Sequence, residues 1–247
     1  MNTHGKKSVA RIALRLIAVA ATMLVPYGGV FAAKSCEPYY VEYVQNKAYF
    51  VQNNQWGSSE QHCVNVNGTS FTITDSALNN PTNSKPGAYP SVVKGRHYGN
   101  KTAGWVAKKL SELISISSSM SIQSAAGNWN ASWDIWFDPK PDSQTAAQIE
   151  LMIWIKQSGD MRPAGEFNRN TTIGGARYEV WHGDHVTTYR RLSSVSSSRI
   201  DIKLFADDMV KNARLRKSDY LTSIQGGFEV WSNGKSLKMN FFSASVK

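Results

Sequence analysis

The chain has 247 residues, with 28 Lys and Arg against 18 Asp and Glu, which gives a formal net charge of +10 at pH 7. The cations are scattered along the sequence and form no basic block, so composition gives no indication of a nucleic-acid partner. The length accommodates one domain with a sizeable hydrophobic core.

The first 32 residues have the pattern of a secretory signal peptide. Basic residues flank an apolar run over residues 12–25, and Val30, Phe31 and Ala32 offer small residues for cleavage. A membrane anchor is the alternative, but Arg15 and Pro26 interrupt the run, which is shorter than the roughly 20 apolar residues that a span needs. We therefore expect residues 1–32 to be removed and residues 33–247 to form one exported domain, either extracellular or periplasmic and with no membrane contact after removal of the signal.

The next feature along the chain is a pair of cysteines. Cys36 and Cys63 are the only two, and an even count in an exported chain suggests one disulfide. Their spacing does not match a metal-ligand pattern, and the five His residues are dispersed. We expect no metal site.

From Tyr39 onward the sequence favours an all-β fold. Short runs rich in Val, Ile, Thr, Ser and aromatic residues are interrupted by Gly, Asn, Asp or Pro, which is typical of a β-sandwich or barrel. Examples of predicted strands are residues 40–53, 61–67, 70–74, 114–124, 128–137, 149–157, 176–181 and 228–231.

One segment, residues 201–215, has helical periodicity. Ile202, Phe205, Met209 and Val210 fall on one face of a helix. We therefore expect an all-β architecture with a single helix packed against a sheet. This architecture leaves a ligand-binding sandwich and a glycan-processing jelly roll as the two main classes.

The predicted strand over residues 148–156 carries the strongest chemical signal. Alternation places Glu150, Met152 and Trp154 on one face and the aliphatic residues between them on the other, which predicts that the aliphatic face is the core. Aromatic rings beside polar groups are a common form of sugar-binding site. The alternative for Glu150 is an exposed strand residue near a cation.

Two further predicted strands repeat this arrangement. Glu229 and Trp231 share a face near the end of the chain, and Asp134 and Trp136 share a face on the strand over residues 128–137, with Trp133 expected in the core. Two carboxylates across one groove are what glycoside cleavage needs, and a third acid could shift their protonation. If one of the two glutamates is a nucleophile, we expect them on adjacent strands of one concave sheet, with their carboxyl groups about 5 to 5.5 Å apart.

Five ordered motifs resemble glycoside hydrolase family 12, and the resemblance covers essentially the whole mature chain. They are residues 53–57, 89–91, 128–136, 150–154 and 227–229. The resemblance implies a two-sheet β-jelly roll with one helix on the outer sheet and an open cleft on the concave sheet. It also implies retaining hydrolysis of internal β-1,4-glucosidic bonds without a cofactor.

The resemblance further implies roles for individual residues. Glu150 matches the family's nucleophile, Glu229 its acid/base and Asp134 the supporting aspartate, while Cys36 and Cys63 match cysteines that pair in relatives. The positions that match substrate-binding residues are Asn54, Trp56, Met152, Trp154 and His97.

Two segments depart from the family pattern. Many relatives carry cysteines in place of Arg96 and Lys101, so a second disulfide is absent here and the cleft border beside His97 is expected to be more mobile. Residues 161–172 resemble the loop that closes over the cleft in relatives, and substrate preference could be decided there.

Two classes of function stay open on sequence alone. A glucan hydrolase and a non-catalytic glycan-binding sandwich share the aromatic groove, and the two retained glutamates favour the enzyme. The substrate could be a cellulose-like glucan, a mixed-linkage glucan or a xyloglucan, and the chain is expected to act as a monomer.

Overall fold

The computed structural model describes residues 1–2, 33–142 and 148–247. Residues 3–32, which make up nearly all of the predicted signal peptide, lie outside the described residues, so that interpretation stays a prediction. Within the described parts of the chain, no helix combines the length and the apolar character that a bilayer crossing requires.

The described residues form seventeen strands, one α-helix and one turn of 3₁₀-helix at Leu110–Glu112. The helix α1 spans Ile202–Lys211. The strands are β1 (Ala33–Ser35), β2 (Val41–Val44), β3 (Tyr49–Gln52), β4 (His62–Asn67), β5 (Ser70–Ser76), β6 (Ser91–His97), β7 (Asn100–Lys101), β8 (Lys108–Lys109), β9 (Ile116–Gln123), β10 (Gly127–Asp138), β11 (Ile149–Ser158), β12 (Glu166–Ile173), β13 (Ala176–His182), β14 (Val186–Arg191), β15 (Ser197–Asp201), β16 (Tyr220–Asn233) and β17 (Lys238–Val246).

The strands form two packed sheets, which confirms the predicted two-sheet jelly roll. The small sheet has the order β1-β4-β5-β17-β9-β15, and the large sheet has the order β12-β13-β14-β11-β10-β16-β6-β3-β2, with β7 paired to β6 and β8 to β16. Neighbouring strands are antiparallel except for β11 and β14, which run parallel. Strand β10 therefore lies near the middle of the large sheet, between β11 and β16.

Strict alternation along β10 explains why the core lies between the sheets. The odd-numbered residues Trp129, Ala131, Trp133, Ile135 and Phe137 are at most 1% exposed. Burial of each large apolar side chain contributes about 1.5–3 kcal/mol, so this face fixes the register of the central strand. The even-numbered residues of β10 are consequently directed to the opposite, concave face.

The single helix packs through the face that its periodicity predicts. Phe205 lies with its ring centroid 5.2 Å from the ring of Tyr178 on β13 and 5.2 Å from that of Tyr189 on β14. The Asp201 carboxylate accepts a hydrogen bond from the Lys203 backbone amide and caps the first turn. The helix therefore supports the outer strands of the large sheet from behind.

Two predicted elements differ from the structure. The predicted strand over residues 40–53 is a hairpin, because Gln45, Asn46 and Lys47 adopt positive φ values of 50°, 54° and 64° and turn the chain between β2 and β3. The predicted loop over residues 161–172 contains most of β12, an edge strand whose side chains are largely exposed on both faces. Without a buried face, β12 lacks the alternation that identifies a strand.

The predicted disulfide is confirmed. Cys36 follows β1 and is bonded to Cys63 on β4, with a sequence separation of 27 residues. Strands β1 and β4 are antiparallel partners, and Ser35 lies opposite Val64. The bond therefore ties the first strand of the domain to the following hairpin.

Candidate active site

The candidate site is built on the three central strands of the large sheet. Glu150 on β11 lies opposite Trp136 of β10, and Glu229 on β16 lies opposite Asn130 of β10. The two glutamates are thus separated by an intervening strand, and the expectation of adjacent strands is wrong. Local alternation places both on the concave face but does not determine which strands pair.

The concave face of β10 supplies the groups between the two glutamates. Asn130 donates a 2.5 Å hydrogen bond from its amide nitrogen to Oε2 of Glu229, and Ser132 donates from Oγ to the Asn130 side-chain oxygen at 3.0 Å. Further along, the Trp136 indole donates to Oδ2 of Asp134 at 2.7 Å. The even-numbered face of one strand thereby orients two of the three acids.

Asp134 and Glu150 form a carboxyl pair. They are cross-strand diagonal neighbours on the concave face, and Asp134 Oδ1 is buried without a hydrogen-bond partner among the described residues. The charge of Asp134 raises the pKa of Glu150, so the pair favours a state in which one of the two carboxyl groups is protonated. The pair therefore holds a single negative charge when it carries that proton.

Burial controls the protonation of all three acids. Burial raises the pKa of Glu229 to about 7, while the hydrogen bond from Asn130 opposes this rise. Burial is also the main reason why the pKa of Glu150 lies well above its usual range, and the charges of Asp134 and Glu229 raise it further. The pKa of Asp134 is raised by burial, against the hydrogen bond from Trp136.

A cavity of about 1270 Å³ opens above these acids. The predicted substrate-binding side chains Asn54, Trp56, Met152, Trp154 and His97 all line it, together with all three acids. Trp56 is 44% exposed. The Lys85 ammonium lies 5.6 Å from the centroid of its ring. The cavity therefore combines flat apolar surfaces with hydrogen-bonding groups, as sugar sites require.

The Trp154 side chain is less accessible to a ligand than its motif suggests. It is 3% exposed and forms a small cluster with Met152, Met161 and Trp231. The loop over residues 159–165 connects β11 to β12 and brings Met161 onto this cluster. Asp160, Arg162, Pro163 and Ala164 of the same loop line the cavity. Trp154 therefore contributes to the wall mainly by supporting this loop.

His97 lies in the cavity wall at the end of β6. Its Nδ1 lies 3.0 Å from the side-chain amide nitrogen of Gln225. The side-chain oxygen of Gln225 accepts a 3.1 Å hydrogen bond from the amide nitrogen of Gln52. Burial lowers the pKa of His97 to about 4, so the ring is neutral at higher pH. Gln225 donates to Nδ1 in this arrangement, which leaves the proton of the neutral ring on Nε2.

The two positions at which the resemblance implies a second disulfide in relatives face each other in the structure. Arg96 on β6 and Lys101 on β7 are cross-strand partners. Arg96 donates a 2.8 Å hydrogen bond to the Pro141 carbonyl and lies 3.8 Å from the Asp142 carboxylate. Polar contacts therefore hold this border of the cleft where a covalent bond is absent.

Sequence reasoning missed the residues that orient the acids. Asn130 shares the parity of Asp134 and Trp136, so the alternation of β10 could have identified it. Tyr89 lies in the motif over residues 89–91 but was given no role there, and Gln225 carries no comparable signal. Tyr89 lines the cavity and donates from its hydroxyl to the Ser132 carbonyl, a contact that depends on long-range packing.

A two-sheet jelly roll with coupled carboxyl groups in an aromatic-lined cleft defines a glycoside hydrolase. Residues 47–247 match "Glycosyl hydrolase family 12", and the chain belongs to this family. Its members include endoglucanases similar to this chain, so the chain is a glycoside hydrolase of the endoglucanase type that acts on a polysaccharide.

Similar proteins agree with this assignment. A stretch of 124 residues is 36% identical to "Probable cellulase Cel12b" of Mycobacterium tuberculosis and covers 49% of this chain and 82% of that protein. "Endoglucanase S" of Pectobacterium parmentieri is 27% identical over 94% of both chains. The solved structure "Endoglucanase cel12A from Rhodothermus marinus" is similar with a TM-score of 0.84 and 33% identity, over 87% of this chain and 99% of that one.

Proposed function

We propose that the protein is a retaining endo-β-1,4-glucanase in which Glu150 is the nucleophile and Glu229 the general acid and base. The observation that carries this proposal is the arrangement of two half-buried glutamates around Asp134 on the floor of one aromatic-lined cavity. A binding module needs aromatic and polar groups but has no use for coupled acids. The arrangement therefore favours catalysis over binding alone.

In the first step, Glu150 attacks the anomeric carbon while Glu229 donates its proton to the leaving oxygen. The raised pKa of Glu229, about 7, keeps this group protonated at mildly acidic pH. Glu150 must be ionised to attack, so the proposal places the proton of the carboxyl pair on Asp134 in the substrate complex, against the burial that raises the pKa of Glu150 in the free protein. Asp134 thus acts by holding the proton and orienting the nucleophile.

In the second step, water displaces the sugar from Glu150. Esterification removes the charge of Glu150, and Glu229, having lost its proton, accepts one from the incoming water. Asn130 stabilises the ionised form of Glu229 through its hydrogen bond, so it favours this half of the cycle. The two carboxyl groups supply both chemical functions, so the reaction needs no cofactor.

The substrate is proposed to be a soluble β-1,4-glucan bound across the concave sheet. Asn54 and Trp56 would hold sugars on the non-reducing side, and Met152 and His97 would border the sugars near the bond that is cleaved. The predicted signal peptide over residues 1–32 supports export to the periplasm or the extracellular space, and action there as a monomer fits a polymer that cannot enter the cell.

The first test is an assay of hydrolysis on carboxymethylcellulose, mixed-linkage glucan and xyloglucan, followed by proton NMR of the earliest products. We expect reducing ends to appear together with a rapid loss of viscosity, and the first anomer to be β. The preferred polymer decides between a general β-glucanase and a xyloglucan-specific enzyme.

Substitutions distinguish the roles of the two glutamates. Glu150→Ala should abolish turnover on every glucoside, whereas Glu229→Ala should retain part of the activity on substrates with an activated leaving group, which needs no proton. An initial α-anomer, or full activity of Glu150→Gln, would refute the assignment. Polymer binding by the wild-type protein without any cleavage would establish the non-catalytic alternative.

A further inference from the structure

Two aromatic side chains form a corner on the outer strands of the large sheet. Phe167 on β12 and Trp181 on β13 are cross-strand partners whose ring centroids are 5.9 Å apart at an interplanar angle of 73°. Phe167 is 48% exposed, and Trp181 is half-buried. Neither belongs to the described residues that line the cavity.

The corner lies on the same face of the sheet as the acids. A single cross-strand row runs from Asp134 through Met152, Thr188 and Trp181 to Phe167. Directly paired residues on neighbouring strands point to the same face. Because β13 is two strands beyond β11, Trp181 lies about 10 Å from Met152 along this row, measured between strand axes.

Polar groups hold one side of the corner in place. The Trp181 indole donates a 3.1 Å hydrogen bond to Oε2 of Glu179, and the Arg190 guanidinium donates to the same oxygen from Nε at 2.9 Å. The guanidinium carbon also lies 5.8 Å from the centroid of the indole ring. The indole is therefore fixed in orientation beside a charged pair that can hydrogen-bond to hydroxyl groups.

This combination is suited to a sugar. A pyranose has an apolar face that stacks on an aromatic ring and a rim of hydroxyl groups that meets polar side chains. A lone exposed aromatic residue carries no such meaning, and Phe241, also 48% exposed but on β17 of the small sheet, provides an example. The corner differs because a second ring and an oriented ion pair adjoin the exposed ring.

The position of the corner also indicates which molecule reaches it. Trp56 lies in the segment that follows β3, and Arg162, Pro163 and Ala164 lie in the loop that leads into β12; all four line the cavity. A linear polymer that is longer than the cavity and leaves past this loop continues over the outer strands. It therefore meets Trp181 and Phe167 on the same face of the sheet.

We propose that the corner of Phe167 and Trp181, with Glu179 and Arg190, is a second glucan-binding surface that holds the part of the chain extending beyond the cleft. The inference rests on the proposed function, because it takes the polymer in the cleft to be a β-1,4-glucan. The surface contributes affinity for long chains and takes no part in bond cleavage.

The experiment compares Phe167→Ala with Phe241→Ala as a matched control of equal exposure. Kinetics are measured on a long soluble glucan and on a cello-oligosaccharide short enough to fit within the cleft. We expect Phe167→Ala to raise KM on the polymer roughly three- to tenfold, the range that loss of one aromatic contact produces, with kcat retained. On the short substrate its kinetics should equal those of Phe241→Ala, and Phe167→Tyr should restore polymer affinity.

Binding is measured separately by affinity electrophoresis in gels containing hydroxyethylcellulose, with Glu150→Gln added to each variant so that the polymer stays intact. Equal retardation of the Phe167→Ala and Phe241→Ala forms would overturn the second surface. An equal loss on short and long substrates would also overturn it, because that pattern belongs to the cleft. Absence of cleavage by the wild-type protein would instead refute the proposed function, and the electrophoresis would still decide whether the corner binds glucan.

Discussion

Replacement of Asn130 by alanine offers a direct test of how the site controls the general acid. The Asn130 amide donates to Oε2 of Glu229, and this hydrogen bond stabilises the ionised form. A hydrogen bond to a charged group contributes about 1.5–3 kcal/mol when buried, and 1.36 kcal/mol corresponds to one pKa unit. Glu229 is half-buried, so water compensates in part, and we expect its pKa to rise from about 7 by about one unit.

The direction in which the pH profile moves follows from the role of Glu229. The protonated form is active in the first step, so activity is lost as pH rises through the pKa of Glu229. Asn130→Ala should therefore move the alkaline limb of the kcat/KM profile from about pH 7 to about pH 8.

The matched control is Asn128→Ala. Asn128 lies on the same strand, but its side-chain amide donates to Ser232 Oγ at 2.9 Å and not to Glu229, so the limb should stay in place. An alkaline limb that does not move in Asn130→Ala, or that moves to lower pH, would refute the assignment of this limb to Glu229.

Three further variants test other parts of the molecule. Asp134→Asn removes a charge that raises the pKa of Glu150, so the acid limb of the pH profile should move to lower pH, and an unaltered profile with wild-type turnover would remove Asp134 from the site. Trp56→Ala should raise KM for polymers and leave kcat largely intact, and a loss confined to kcat would contradict a role in binding sugars. Joint replacement of Cys36 and Cys63 by serine should lower the free energy of unfolding by about 3–4 kcal/mol, from closure of a loop with a sequence separation of 27 residues, while activity persists at low temperature. Denaturant unfolding measures this difference, and an unchanged midpoint would show that the disulfide does not constrain the unfolded chain.

The parts of the fold that sequence predicts are those in which local alternation meets a buried face. The core-facing residues of β10 and the shared face of Glu150, Met152 and Trp154 follow from period-two patterning alone. The edge strand β12 escaped prediction because both of its faces are largely exposed, so its sequence carries no alternation.

Pairing between distant strands accounts for the remaining errors. No local signal places β10 between the strands of Glu150 and Glu229, because that order is decided by contacts between residues far apart in the chain. The same limit applies to Gln225, whose amide links His97 to Gln52 only once three strands have assembled. The candidate site residues could therefore be predicted from the sequence more readily than the strand order that positions them.

The parallel pairing of β11 and β14 determines how the edge of the cleft is built. Glu166, at the start of β12, pairs with His182, which pairs with Thr187, which in turn pairs with Leu151 of β11. Glu166 therefore lies level with Leu151, which is seven residues before Ser158 at the end of β11. The chain must therefore return about 23 Å along the sheet and about 14 Å across it, a straight distance of about 27 Å. Eight peptide steps from Ser158 to Glu166 span at most about 26–29 Å.

The segment between β11 and β12 is consequently almost fully extended, and the concavity of the sheet is the main feature that shortens the distance it must cross. Each residue removed would shorten the maximum span of the segment by about 3.5 Å and draw strands β12, β13 and β14 towards β11. Each residue added would let these three strands move away from β11. The number of residues in this crossing therefore sets the span of the groove, independently of the side chains that line it.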